Sequence, residues 1–171
     1  MKEIKGNLFE IECDALCITT NGFVKSNSEC VMGKGCAKQF TKFVPTIAKT
    51  LGDAISLNGN VTQVMFQDNK HPTVLAFPVK PIGEISDGTN AVAHMQNKMP
   101  VGCFIPGWAC KAKLDIIVSS AHALITLTDA AGWKTVLVPR PGCGAGELLW
   151  SDVYPVLRDI LDDRFVSVTF K

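Results

Sequence analysis

Residues 136–150 read VLVPRPGCGAGELLW. The run from Thr135 to Pro139 is short, apolar and β-branched, and it is closed by proline and glycine, which predicts a buried strand. It leads straight into Arg140-Pro141-Gly142-Cys143-Gly144-Ala145-Gly146, and the following stretch from Leu148 to Leu161 has helical spacing of its apolar residues. Glycine carries no Cβ, so backbone N–H groups can converge there, and a helix start adds partial positive charge. The strand–turn–helix unit is therefore a candidate cradle for an anion. The turn lacks the Lys-Ser/Thr ending of a P-loop and does not open the chain's first βα unit, as a dinucleotide fingerprint commonly does. Taken alone, its glycines serve equally well as tight-turn residues.

The same plan occurs once more, upstream. Ala15 to Thr20, ALCITT, is a nearly continuous apolar run that ends at Asn21-Gly22 and predicts a strand buried on both faces. A polar, turn-rich stretch then reaches Met32-Gly33-Lys34-Gly35, after which CAKQFTKFV begins a helix that Pro45 interrupts. Two such units could hold two phosphates. Around them, Lys2 to Lys5, Val61 to Gln67, Thr73 to Val79 and Val166 to Phe170 read as strands, with turns at Gly6-Asn7 and across residues 68–72. Leu114 to Ala131 reads as a helix stopped by Gly132. Strands alternating with helices predict an α/β fold. Residues 82–112 show no clear period and form a long connection of the kind that is functional or carries structure of its own.

With 171 residues the chain fits one domain. Seventeen basic against sixteen acidic side chains leave a net charge of +1, so there is no basic stripe of the kind a dedicated duplex-binding domain needs. The opening MKEIKGNLFEIEC is charged and alternating rather than basic and then apolar, and no apolar run is read as long enough to cross a bilayer. Seven cysteines make an odd count without a paired C-x-x-C. They are expected to be reduced thiols in a cytoplasm, Cys13 and Cys17 acting as small hydrophobes. Three scattered histidines supply no set of four convergent ligands, so neither a metal nor another cofactor is expected.

Together the two glycine turns resemble the macro domain family, whose first signature runs AIVNAAN, a short loop, then GGGVA. This chain has ALCITTN at 15–21 and GKGCA at 33–37, KGN at 5–7 where the family has a GD turn, and the 136–150 stretch as the second phosphate loop with its helix. The resemblance covers both ends of the chain and weakens between Ile82 and Ala112, where an insertion or lid is expected. It implies a three-layer α/β/α fold with a central mixed sheet in a single domain, and ADP-ribose, free or attached to a nucleic acid or protein, as the ligand. It places Asn21 at the distal ribose, Gly33, Lys34, Gly35, Cys36 and Ala37 in the first phosphate loop, and Gly142, Cys143, Gly144, Ala145 and Gly146 in the second. Asn7 falls at the position of the family's adenine-reading aspartate, and Phe170 against adenine or in the core.

Within the family the chain is more similar to the branch of terminal ADP-ribose glycohydrolases and antitoxins that remove ADP-ribose from DNA. The compact MGKGCA at 32–37 and the lysine that ends LAFPVK at 75–80 carry this likeness, while Ile18 replaces the first asparagine of the usual motif. The likeness implies hydrolysis of ADP-ribosyl linkages on a macromolecule, with Lys80 attacking the anomeric carbon if burial or a nearby cation makes its amine neutral. A lysine that merely caps a strand is the plainer reading. ADP-ribose 1″-phosphate phosphatase and non-catalytic reader are the alternative functions. Some of this branch use an aspartate in the second loop where this chain has Gly146; Glu147 is adjacent. His94 and His122 qualify for acid–base work by residue type alone, and His122 falls in the predicted amphipathic helix.

Overall fold

The computed structural model describes residues 1–170. Six strands form the main sheet: β1 (Lys2–Lys5), β2 (Ala15–Thr20), β3 (Gln63–Phe66), β4 (Thr73–Pro78), β7 (Val136–Pro139) and β8 (Phe165–Thr169). Their order is β1-β8-β7-β2-β4-β3. All neighbours are parallel except β3, which lies antiparallel on β4 at one edge with a register shift between Val64 and Phe66.

The period of two along each strand sends alternate side chains to opposite faces. On β2, Leu16 and Ile18 join Phe40, Ile47 and Leu51 in one core, while Ala15 and Cys17 join Ile117, Leu124, Val153 and Leu157 in another. Helices α1 (Gly35–Phe43) and α2 (Ile47–Asn58) therefore cover one face, and α3 (Leu114–Ala131) and α4 (Trp150–Ile160) the other. This is the three-layer α/β/α arrangement with a mixed sheet. Strands buried on both faces read as continuous apolar runs for the same reason, and all six residues of β4 are buried.

Proline and glycine set the helix limits. Pro45 falls between α1 and α2, and Gly132 takes φ 70 after α3, where its N–H reaches the carbonyls of Asp129 and Thr128. Pro155 lies inside α4. One expectation needs correction: α3 has 18 residues of mean hydropathy 1.3, the length and apolar content of a membrane span. In the fold its Ile117, Ala121 and Leu124 stripe is buried against the sheet.

Residues 82–112 are not an open loop. A small antiparallel ribbon, β5 (Gly83–Ile85) with β6 (Phe104–Pro106), joins two 3-10 turns at 93–98 and 107–109. Ala91, Ile105, Ala109 and Cys110 give it a separate core flanked by Met95 and Met99. Gly107 lets this segment lie close against the chain that follows β2 and β4, because a Cβ there would strike the carbonyl oxygens of Pro81, Asn21 and Ile82.

Candidate functional site

The chain leaves β2, β4 and β7 at the same edge of the sheet, since these strands are parallel neighbours. Asn21, Lys80 and the Arg140–Gly146 turn therefore emerge side by side. The carboxyl edge of a parallel sheet is where such folds bind ligands, because the connecting turns and helix starts gather there.

The first turn ends as the start of α1. Lys34 is the cap position with extended φ and ψ and offers no side-chain bond, and the first intrahelical bond runs from the Lys38 N–H to the Lys34 carbonyl. The N–H groups of Gly35, Cys36 and Ala37 thus have no partner in the helix, as at any uncapped start. In the second turn, Cys143 donates to Arg140, Glu147 to Gly144 and Leu148 to Gly142. The N–H groups of Gly144, Ala145 and Gly146 donate to no acceptor among the described residues.

The glycines divide into two kinds. Gly142 takes φ 77, and a Cβ there would come within 2.9 Å of Leu148; at Gly146 it would lie 2.5 Å from the Ala112 Cβ and the Gly142 carbonyl. Packing alone explains those two. A Cβ on Gly33, Gly35 or Gly144 would meet nothing within 4 Å, and of these only Gly35 has a positive φ, 59. Neither packing nor backbone conformation within the chain requires glycine at Gly33 or Gly144.

Lys80 stands between the two turns and is only 6% exposed. Its Nζ donates to the Ala145 carbonyl at 2.8 Å and to the Trp108 carbonyl at 3.2 Å, so it joins the second turn to the 3-10 turn at 107–109. Burial pushes its pKa down to about 8; Cys110 and Glu147 oppose the shift and Lys34 adds to it. At neutral pH about a tenth of the amine is then uncharged, enough for it to act as a nucleophile. The Asn60 side chain holds the Lys80 carbonyl through Nδ2 at 2.9 Å. Neither Asn60 nor Trp108 stood out in the sequence, because each meets Lys80 from a distant segment.

The remaining residues fall around this centre. Asn21 turns its amide to the approach of the first turn, donating to the Val31 carbonyl at 2.8 Å and accepting from the Phe23 N–H at 3.0 Å. Cys36 is buried with its thiol 3.4 Å from the Thr19 hydroxyl. Burial pushes the Cys143 thiol up to about 11, so it stays protonated at neutral pH. Glu147 has φ 64, unusual for a residue with a side chain. Its carboxylate is turned to the Ala93 N–H, at 2.9 and 3.1 Å. His94 and His122 are both exposed, and no hydrogen bond ties either ring to Lys80 or the turns among the described residues.

Asn7 and Phe170 meet at the far end of the same edge, where β1 and β8 end. They line one cavity of about 690 Å³ with Phe9, Glu10, Gln39, Lys42 and Phe43 among the others. None of the glycines of the two phosphate turns lines it, but α1 connects them: Gln39 and Lys42 lie about 6 and 10 Å along the helix from Gly35. From β1 to β4 the edge crosses four strand spacings, about 19 Å. A second cavity, of about 470 Å³ between Asn60, Ile82 and the start of α3, contains none of the residues singled out in the sequence.

The sequence itself matches no family model and no curated protein. Solved structures do share the fold. The macrodomain of Mycobacterium tuberculosis DarG superposes with a TM-score of 0.69 at 21% identity, over 98% of this chain and 95% of that one. The macrodomain of Thermus aquaticus DarG gives 0.69 at 19% identity, over 98% and 95%. Thermosipho africanus DarTG, in complex with ADP-ribose, gives 0.68 at 19% identity, over 99% of this chain and 42% of that longer one. The fold is that of macrodomains.

Proposed function

We propose that this chain, a domain of macrodomain fold, binds ADP-ribose across the carboxyl edge of its sheet and hydrolyses ADP-ribosyl linkages on a macromolecule. The observation that carries the proposal is a buried lysine with a lowered pKa set between two glycine turns whose amides are free to bind an anion. A diphosphate is held by the amides at 35–37 and 144–146, with Gly33 and Gly144 leaving room for its approach. The ADP-ribose in the Thermosipho africanus DarTG structure is consistent with this choice of ligand.

In this reading Lys80 acts on the anomeric carbon of the distal ribose. The neutral amine forms a C–N bond as the bond to the macromolecule breaks, the leaving group takes up the amine's proton, and water then releases ADP-ribose from the lysine. The Ala145 and Trp108 carbonyls fix the Nζ and help to aim it.

A non-catalytic reader is the second reading. It is favoured by Glu147, since the carboxylate nearest the second turn is occupied by the Ala93 N–H. One comparison separates the two. The wild-type protein should release ADP-ribose from ADP-ribosylated DNA or protein, and Lys80→Ala should bind free ADP-ribose within about threefold of wild type while releasing none. Binding without release by the wild-type protein supports the reader, and unchanged release by Lys80→Ala removes the lysine from the mechanism.

A further inference from the structure

Lys80 is held at both ends. The Ala145 and Trp108 carbonyls fix its Nζ, but its backbone lies beyond β4, which ends at Pro78. The Val79 N–H still reaches the Thr20 carbonyl, whereas the Lys80 N–H and carbonyl bond no other backbone group among the described residues. The Lys80 carbonyl instead accepts from the Asn60 Nδ2 at 2.9 Å, the one hydrogen bond of that backbone among the described residues. Asn60 comes from the connection between α2 and β3.

The same amide packs against the residue that follows Asn21. A Cβ on Gly22 would stand 2.4 Å from the Asn60 Cγ, 2.5 Å from Oδ1 and 2.7 Å from Nδ2, and Gly22 takes φ 69. Only a glycine lets the chain pass so close in that conformation. Asn60 therefore spaces two strand ends, one carrying Lys80 and the other Asn21, which the resemblance places at the distal ribose. Folding alone gives no reason for an asparagine here. Its Oδ1 is shielded from solvent and has no partner among the described residues, and an unpaired buried acceptor is destabilising.

We propose that Asn60 is a positioning residue: it holds the Lys80 backbone at a set distance from Asn21, so that the amine is aimed at the anomeric carbon. This rests on the hydrolytic reading above.

Asn60→Ala and Asn60→Asp carry the test. The first removes the bond together with the unpaired Oδ1, and the second keeps the shape but puts a carboxylate oxygen where the donor stood. Both should bind ADP-ribose within about threefold of wild type and release it from ADP-ribosylated DNA or protein at least about tenfold more slowly at saturating substrate, since about 1 Å of misplacement can lower a rate about a hundredfold. A second readout needs no substrate. An amine-acylating reagent, followed by mass spectrometry, should label Lys80 several-fold faster in both variants, while Lys2, at the far edge of the sheet, is labelled as in wild type. A merely structural role would lower the unfolding temperature and leave release per folded molecule and Lys80 labelling unchanged. If the wild-type protein releases ADP-ribose and the variants behave in that way, the assignment of Asn60 is wrong while the hydrolytic reading stands. If the wild-type protein releases none, the hydrolytic reading fails and the aiming role fails with it, and unchanged labelling would overturn the hold on Lys80 as well.

Discussion

Replacing Gly144 with alanine should separate stability from binding, and its neighbour Gly146 sets the contrast. An added Cβ on Gly144 meets no protein atom within 4 Å, and the residue has no positive φ. The change should leave stability unchanged or raise it by about 0.4–1 kcal/mol, because alanine restricts the unfolded chain more than glycine does. The same methyl should obstruct a phosphate that approaches the 144–146 amides. Loss of one charge-assisted hydrogen bond costs about 1.5–3 kcal/mol, which corresponds to roughly a tenfold to hundredfold loss of ADP-ribose affinity. Gly146→Ala places its Cβ 2.5 Å from both the Ala112 Cβ and the Gly142 carbonyl. Backbone cannot yield there as a flexible side chain would, so overpacking should cost about 1–3 kcal/mol. Thermal unfolding and calorimetry with ADP-ribose on both variants give the answer. A Gly144→Ala protein that is stable and binds ADP-ribose as tightly as wild type would refute the reasoning, because the open space at Gly144 would then have no ligand to receive.

Other outcomes follow from the same contacts. Release of ADP-ribose at saturating substrate should rise with pH and level off above about 8, as the Lys80 amine loses its proton; a rate that falls across that range argues against an amine nucleophile. Folding also lowers the lysine's pKa below its ordinary 10.5, so the charged form is penalised at every pH below 8 and the penalty disappears as pH approaches 10.5. Lys80→Met should therefore be more stable than wild type by about 1 kcal/mol at pH 7, after allowing for the two lost hydrogen bonds, and denaturant unfolding should show that margin shrinking between pH 8 and 10. Glu147→Gly relieves the φ of 64 but frees the Ala93 N–H. Global stability should stay within about 1 kcal/mol of wild type while amide exchange at Ala93 accelerates. Leu124→Ala, at a fully buried position of α3, should cost about 2–5 kcal/mol by chemical denaturation.

Much of the scaffold is legible in the sequence because local pattern and burial agree there. Ala15–Thr20 is apolar along its whole length since helices cover both faces of β2, and Leu114–Ala131 shows its period because one stripe packs on the sheet. Strand ends shift by a residue or two, as at Thr135, which precedes β7 but whose carbonyl already accepts from the N–H groups of Asp14 and Ala15 at the start of β2. The β5–β6 ribbon was not legible. Three-residue strands carry too little periodicity to read, and the small core around Ile105 and Cys110 is assembled from residues up to 19 positions apart.

The placement of the two turns and of Lys80 at strand ends was legible in the sequence, and their contacts were not. Sequence places Lys80 at the end of a buried strand, but its bonds to Trp108 and Ala145 cross 28 and 65 residues and leave no local trace. Nor does a glycine announce its purpose: Gly142 and Gly146 are required by packing, while Gly33 and Gly144, identical as letters, face open space. The resemblance puts Asn7 at the base, and its short-range bonds to Phe9 and Glu10, invisible in the pattern, hold its amide at the rim of the cavity where β1 and β8 end.

The central claim is that two separate turns close on one diphosphate, and amide resonances during a titration with ADP-ribose test it most directly. Gly35, Cys36 and Ala37 should shift together with Gly144, Ala145 and Gly146, all following a single saturation curve. Shifts confined to one turn, or saturating at different concentrations in the two, would contradict it.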